Sequence, residues 1–200
     1  MNEAAGATRR TIVIDNQDSF THNIAQYLAM CGTEVEILDN TASVERVERA
    51  RPTHLVLSAG GGSAEDPGDC GNVYRIVERF AGRIPLLGIC LGHQILARHL
   101  GGRITAAQDG RHGRISRLSL TASSRLLAGM PAASRVMRYH SSVIAPGSLP
   151  HGSTVTSVAQ DDGEVMSVES SRHRLYGVQF HPESIGTPHG MRVFENFLSF

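Results

Sequence analysis

Two kinds of hydrophobic spacing run along this chain, and one gives way to the other near its middle. In the first half, short apolar runs alternate with stretches whose apolar residues recur every three or four positions. "TIVIDN", from Thr11, reads as a buried strand. The stretch after it carries Phe20, Ile24, Tyr27, Leu28 and Cys31 on one helical stripe, with Ser19 placed to cap it and Gly32 to end it. "EVEIL" predicts a second strand and "SVERVERA" a helix. "THLVLS" predicts a third strand, followed by the loop "AGGGSAEDPG" and a helix near "NVYRIVERF". "IPLLGI" is a fourth strand, and "LGHQILARHL" a helix closed by Gly101 and Gly102. Strands alternating with helices in this way predict a parallel sheet with helices on both faces.

The second half is different. "GRISRLSL", "SRVMRYH", "STVTSVA", "EVMSVES" and "RLYGVQF" read as short strands separated by turn residues, an antiparallel pattern. A last helix near "GMRVFENFLSF" offers Met191, Phe194, Phe197 and Leu198 to pack back on the sheet. No repeat, linker or low-complexity tract interrupts the pattern. One α/β domain over residues 11–200 is the expectation, with residues 1–10 as a short flexible arm.

Composition narrows the function classes. Nineteen basic and nineteen acidic residues cancel, and no basic block stands out, which argues against a nucleic-acid or polybasic membrane partner. No apolar run approaches the roughly 20 residues that a bilayer span needs. The opening "MNEAAGATRR" lacks an apolar signal core, so a cytoplasmic protein is expected. Cys31, Cys70 and Cys90 are odd in number and widely spaced, forming neither a disulfide framework nor a zinc pattern. No metal or cofactor is expected. Ten histidines are many, but a lone histidine is usually a surface or hydrogen-bonded core residue.

One cysteine stands apart. In open parallel sheets, ligands sit at the carboxyl ends of the strands. Cys90 lies at such an end, in "GICLGHQ", between a strand and a helix. Gly88-Ile89-Cys90-Leu91-Gly92 matches the nucleophile-elbow pattern with cysteine in place of serine. Glycines two residues to either side let neighbouring backbone approach a strained turn that projects the side chain outward. The helix N-terminus supplies free amides and partial positive charge, which favour a thiolate. The Leu91 amide is positioned to donate to an oxyanion. Cys31 and Cys70 lack this setting and read as packing or surface thiols.

A thiol nucleophile needs a base and a group to orient that base. "YGVQFHPES" offers His181 at a strand end, with Glu183 two residues on to hold the ring in one tautomer. His93, one helical turn beyond Cys90, and His140, at another strand end, are rivals, and spacing does not choose among the three. The glycine-rich "SAGGGSAEDPG" after the third strand can turn its amides toward a ligand. No Gly-Lys-Ser/Thr follows it, so a nucleotide P-loop is not indicated.

Taken in order, "SAGGG", "LLGICLGHQ" and "YGVQFHPES" resemble the class I, triad-type glutamine amidotransferases. The opening "IDNQDSFTHNIAQYL" and the "YHSS" stretch look like the small glutaminase subunits of anthranilate and aminodeoxychorismate synthases. The resemblance runs from about Ile12 to Phe197. It implies a single flavodoxin-like open sheet, mostly parallel, with antiparallel strands added in the second half. It implies that Cys90 attacks the side-chain amide of L-glutamine while His181, oriented by Glu183, shuttles the proton to the departing ammonia. The amides of Gly60 and Leu91 would form the oxyanion hole. Gln94, Gly62 and the Ser141–Ser142 backbone would hold the substrate, with Gly60 beside them. His93 and His140 would fall to supporting roles.

Two departures from the family pattern stand out. Its loop reads Ser-Pro-Gly-Pro-Gly, and here Ala59 and Gly61 replace both prolines, which predicts a less preorganised loop. Its Tyr-His-Ser-Leu is Tyr139-His140-Ser141-Ser142 here, which removes an apolar contact. Ammonia released into neutral water is mostly protonated, so the resemblance further implies a partner, a chorismate-binding synthase subunit. "HGRISRL", with His112 and Arg114, resembles the family's docking loop. The alternatives are a free-standing γ-glutamyl hydrolase of the same fold and a non-catalytic docking subunit.

Overall fold

The computed structural model describes residues 9–200. The first half folds as β1 (Arg10–Asp15), α1 (Thr21–Met30), β2 (Glu34–Asp39), α2 (Val44–Arg49), β3 (His54–Leu57), α3 (Pro67–Cys70), α4 (Val73–Phe80), β4 (Leu86–Ile89) and α5 (Leu91–His99). The second half adds β5 (Ile104–Leu120), β6 (Arg135–Ile144), β7 (Thr154–Ala159), β8 (Val165–Ser170), β9 (Leu175–Val178) and α6 (Met191–Phe197). The strands form one sheet in the order β2-β1-β3-β4-β9-β8-β7-β5-β6. Every pairing from β2 to β9 is parallel, and every pairing from β9 to β6 is antiparallel. The expected open α/β sheet is therefore present, with its parallel and antiparallel halves meeting at β9.

The near-continuous apolar runs of β1, β3 and β4 follow from burial on both faces. Val13, Val56, Leu87 and Ile89 face α1 and α6, where Ile24, Leu28, Val193, Phe194 and Phe197 cover them. Ile12, Ile14, Leu55, Leu57 and Leu86 face the other way, onto Val47 of α2, Ile76 and Val77 of α4, and Leu91 and Ile95 of α5. Each such buried side chain contributes about 1.5–3 kcal/mol relative to exposure. This two-faced packing fixes where β4 ends and α5 begins, which is where the site forms.

Local expectations fail in four places. Ser19 does not cap α1; Phe20 holds the N-cap position without a side-chain bond. The Asp15 carboxylate at the end of β1 accepts from Thr21 Oγ1 at 2.7 Å and from the Asp18 amide at 3.1 Å instead. Arg9 and Arg10, expected in the N-terminal arm, are tied to the sheet: the Arg9 carbonyl accepts from Glu34 N at 2.9 Å, and Arg10 is the first residue of β1. Residues 1–8 of that arm lie outside the described residues. β5 begins at Ile104, well before the predicted "GRISRLSL", and α3 was not predicted. Among the described residues no helix is long and apolar enough to cross a membrane.

Candidate active site

Cys90 closes β4 as the N-cap residue of α5, at φ +52° and ψ −103°, a conformation that costs a non-glycine residue energy. Its amide donates to the Val178 carbonyl of β9 at 2.9 Å, which anchors the strained turn to the sheet. The flanking glycines are steric requirements. A Cβ on Gly88 would lie 2.4 Å from the Gly92 carbonyl carbon, and one on Gly92 would lie 2.4 Å from the Leu57 carbonyl oxygen. Only bare backbone lets α5 start this close to β3 and β4.

His181 follows β9, the strand beside β4. Its amide donates to the Met137 carbonyl at 2.9 Å, and its own carbonyl accepts from Thr187 Oγ1 at 2.7 Å. Nδ1 donates to Glu183 Oε1 at 2.6 Å, so Nε2 is the nitrogen left to exchange a proton with Cys90. Tyr139 packs against the ring with centroids 5.1 Å apart at 89°, and Phe20 at 6.2 Å and 71°. Burial opposes charging of this imidazole. The hydrogen bonds and charges of Cys90 and Glu183 outweigh it and raise the ring to about 10. Sequence reasoning missed Phe20 and Tyr139 as the aromatic walls of the base, although both stand in stretches it had singled out.

The rival histidines are differently placed. His93 is fully buried on α5, with its ring against β9 where Gly177 has no Cβ to obstruct it. Burial, then the neighbouring His140, hold it down at about 3. His140 accepts the Arg138 Nε proton on its own Nε2 at 3.0 Å, so its lone pair is already used. Burial, then Arg138, lower it to about 3.

The loop after β3 brings Gly60 between Asn16 and Leu91: a Cβ there would lie 2.6 Å from the Asn16 carbonyl oxygen and 2.8 Å from Leu91 Cδ2. Asn16 is itself fixed, its Nδ2 donating to the Ser58 carbonyl and its amide to Ser58 Oγ, both at 2.8 Å. Gly62 abuts Asp69, which accepts from the Ser63 amide at 2.8 Å. Gly61, in place of a family proline, has open space where a Cβ would be. The loop is thus closely packed at Gly60 and Gly62, with open space beside Gly61 between them. Neither the Gly60 nor the Leu91 amide finds a backbone acceptor among the described residues, so both are free to donate.

Gln94 Nε2 donates to the Ser142 carbonyl at 2.8 Å and to Gln179 Oε1 at 3.1 Å. Both amide hydrogens are committed, so Gln94 offers a ligand only its carbonyl oxygen. Gln179, fully buried and unforeseen from the sequence, donates from Nε2 to Cys90 Sγ at 3.6 Å. Gly60, Gly62, Cys90, Leu91, Gln94, Ser141 and Ser142 all line one cavity of about 420 Å³, large enough for an amino acid. His181 and Glu183 do not line it; His181, bonded to Glu183, couples to Cys90 by hydrogen bond and charge. The structure therefore brings every predicted site residue together.

The far wall of the cavity rests on a buried ion cluster. β5 bulges between Ala106 and Arg111, where only Ser141 of β6 stands opposite residues 107–110. Arg111 and His112 line the cavity there, and Arg111 reaches Asp162 at 2.9 Å and Asp161 at 3.4 Å. Fully buried Arg138 bonds Ser116 Oγ at 2.8 Å, Asp162 at 2.8 Å, Glu164 and His140. Two guanidinium groups and three carboxylates thus join the β5–β6 hairpin to the β7–β8 turn. Among the described residues no group of three or more His, Cys, Asp or Glu is placed to hold a metal ion.

Known proteins are similar to this chain in sequence and fold. The family model described as "Glutamine amidotransferase class-I" matches residues 12–199. The chain is 38% identical over 188 residues to anthranilate synthase component 2 of Lactococcus lactis, covering 94% of this chain and 93% of that one. It is 36% identical over 188 residues to the aminodeoxychorismate/anthranilate synthase component 2 of Bacillus subtilis, covering 94% of each. It is 40% identical over 194 residues to the bifunctional protein TrpGD of Thermotoga maritima, of whose length it spans only 32%. A solved structure from Thermoplasma acidophilum, assigned as a GMP synthase protein, superposes with a TM-score of 0.86 at 26% identity, covering 97% of this chain and 94% of that one. With that family model spanning residues 12–199, and with the elbow cysteine and the glycine loop lining one cavity, the chain belongs to the class-I glutamine amidotransferase family.

Proposed function

We propose that this chain is the glutaminase subunit of a chorismate-aminating synthase of the anthranilate or aminodeoxychorismate type. The observation that carries the reading is one cavity lined by Cys90, Gly60 and Leu91, with the Gly60 and Leu91 amides unpaired and the Glu183-backed His181 ring coupled to Cys90 by hydrogen bond and charge. The Cys90 proton moves to His181 Nε2, and Sγ attacks the side-chain carbonyl of L-glutamine. The oxyanion that forms is held by the Gly60 and Leu91 amides. His181 returns its proton to the amide nitrogen as the C–N bond breaks, and ammonia leaves. Water then attacks the thioester with His181 as base, releasing glutamate and restoring the thiol. Gln94 Oε1 receives the substrate's ammonium group, and the Gly62 and Ser141–Ser142 backbone borders its amino-acid end. No metal or cofactor enters these steps.

Ammonia keeps its lone pair only out of bulk water, so the site calls for a partner that covers its mouth and holds chorismate. The relatives' names support a component 2 role beside such a synthase. Ile185, 97% exposed two residues from Glu183, and exposed His112 at the cavity rim supply a contact face. We place the chain in the cytoplasm, with no nucleic-acid or membrane partner.

The test is to co-purify the natural partner and identify the product formed from chorismate and glutamine. Cys90→Ser is expected to abolish glutamine-dependent product while leaving ammonium-dependent product intact. Surviving glutamine turnover would remove Cys90 as the nucleophile. A glutamine-mimicking electrophile is expected to label Cys90, and absence of label would favour a docking-only subunit. Glutaminase activity indifferent to the partner would favour a free-standing hydrolase.

A further inference from the structure

The hydrogen-bond chain behind Cys90 can run in one direction only. A backbone carbonyl only accepts, so the Ser142 oxygen obliges Gln94 to turn its NH2 toward it, at 2.8 Å. The second hydrogen of that NH2 reaches Gln179 Oε1 at 3.1 Å. With its oxygen occupied, Gln179 presents its own NH2 to the Cys90 sulfur at 3.6 Å. A carbonyl on β6 thereby decides that the sulfur meets a donor and not an acceptor.

We propose that Gln179 is a further catalytic residue, whose side-chain N–H, oriented through Gln94 by the Ser142 carbonyl, donates to Cys90 Sγ and stabilises its thiolate. A hydrogen bond to a charged acceptor favours that charged form, and such bonds are about twice as strong as neutral ones. Gln179 is fully buried, so water does not substitute for it. The donor acts twice in the cycle. It supports the thiolate before attack, and it supports the same sulfur as it leaves when the thioester is hydrolysed. No covalent step is added. The titratable groups that share the site are His181 backed by Glu183, with Asp18 interacting with both, and, across the cavity, Arg111, His112, Tyr139 and His140. The variants below leave all seven in place.

The inference rests on Cys90 as the nucleophile, so its test reads the sulfur without glutamine. The intact chain and its Gln179→Met, Gln179→Glu and Gln94→Leu variants are treated with iodoacetamide from about pH 5 to about pH 10. Alkylation of Cys90 is followed by peptide mass spectrometry, which separates it from Cys31 and Cys70. Gln179→Met is expected to slow alkylation at neutral pH about tenfold and move its half-maximal pH upward by about one unit. Gln179→Glu, which sets a carboxylate against the sulfur, is expected to move it further in the same direction. Gln94→Leu touches no sulfur, yet is expected to move it the same way by releasing Gln179. An unchanged profile in folded Gln179→Met, or in Gln179→Glu if the Met variant does not fold, would overturn the proposal. An unchanged profile in Gln94→Leu would overturn the relay through Ser142. A chain that alkylates as expected but does not turn over glutamine counts against the glutaminase reading alone.

Discussion

Nδ1 of His181 donates to Oε1 of Glu183 at 2.6 Å, which leaves Nε2 of the same buried ring for Cys90. That relationship separates His181 from its two rivals. His140 also has one free nitrogen, but it is the protonated one, since Nε2 accepts from Arg138. His93 is packed against Gly177 of β9, and burial holds it down at about 3. The ring that takes the Cys90 proton has to hold it near neutral pH, and of the three only His181 is raised, to about 10, while His93 and His140 are held down at about 3.

His181→Ala is therefore expected to lower glutamine turnover by about 10²–10⁴-fold, the usual range for a general base. His93→Ala is expected to cost stability, about 1–3 kcal/mol, and to change turnover per folded molecule far less. Steady-state glutamate release, normalised to the folded fraction, measures both. A larger loss of turnover in His93→Ala would move the base onto α5.

The elbow was legible because its constraint is local: a glycine two residues to either side of Cys90 is written in five letters. Gln179 was not, because a glutamine in "YGVQFH" reads as the polar member of an alternating strand. Its meaning comes from Gln94, which is 85 positions away. Arg138 was hidden for a similar reason. Val136, Arg138 and His140 share the inward face of β6, and a buried arginine is tolerable only because Asp162 and Glu164 meet it from the β7–β8 turn. The front of β5, "ITAAQDG", lacks alternation because it is bulged and borders a polar cavity, so no period-2 signal exists to be read.

Gly92 and Gly61 make a matched pair. Gly92→Ala sets a Cβ 2.4 Å from the Leu57 carbonyl oxygen, which is backbone and cannot rotate away. Overpacking of this kind costs about 1–3 kcal/mol or more. It would also push α5 off β3 and shift Cys90, so turnover is expected to fall with stability. Gly61→Ala meets nothing within 4 Å, and its expected effect is within about 0.5 kcal/mol. Urea unfolding of the two variants beside the parent checks the contrast. Equal losses would mean that the close approach of α5 to β3 is not what requires glycine.

Arg138→Met keeps much of the side-chain volume and removes the cation from the cluster. Asp162 and Glu164 would then be buried with less compensation, and His140 would lose its donor. Breaking a buried pair from one side costs about 3–5 kcal/mol. The cluster also holds the β5–β6 hairpin that carries Arg111 and His112, so the Michaelis constant for glutamine is expected to rise. A melting temperature and Michaelis constant both equal to the parent's would show that the cluster bears no part of the cavity wall.

Stability should decline on both sides of neutrality, for opposite reasons. Burial holds His93 and His140 down at about 3 and His54 at about 4, against 6.5 for a free imidazole. Below pH 6.5 the unfolded chain takes up protons that these three rings refuse in the folded state, so acid favours unfolding. His181 acts in the reverse sense. Its folded value is raised to about 10, so its contribution is complete below 6.5 and is lost as pH rises through about 10. Glu183→Gln removes the carboxylate charge and the charge-assisted bond that help raise it. The expected result is that unfolding midpoints of the parent fall from pH 7 toward both 5 and 10, while the variant keeps the acid limb and flattens the alkaline one. The variant is also expected to lose about 10²–10⁴-fold in glutamine turnover, because an amide does not stabilise the imidazolium as a carboxylate does. An alkaline limb that stays as steep in Glu183→Gln as in the parent would mean that the Glu183–His181 pair is not what gives the fold its stability near neutral pH.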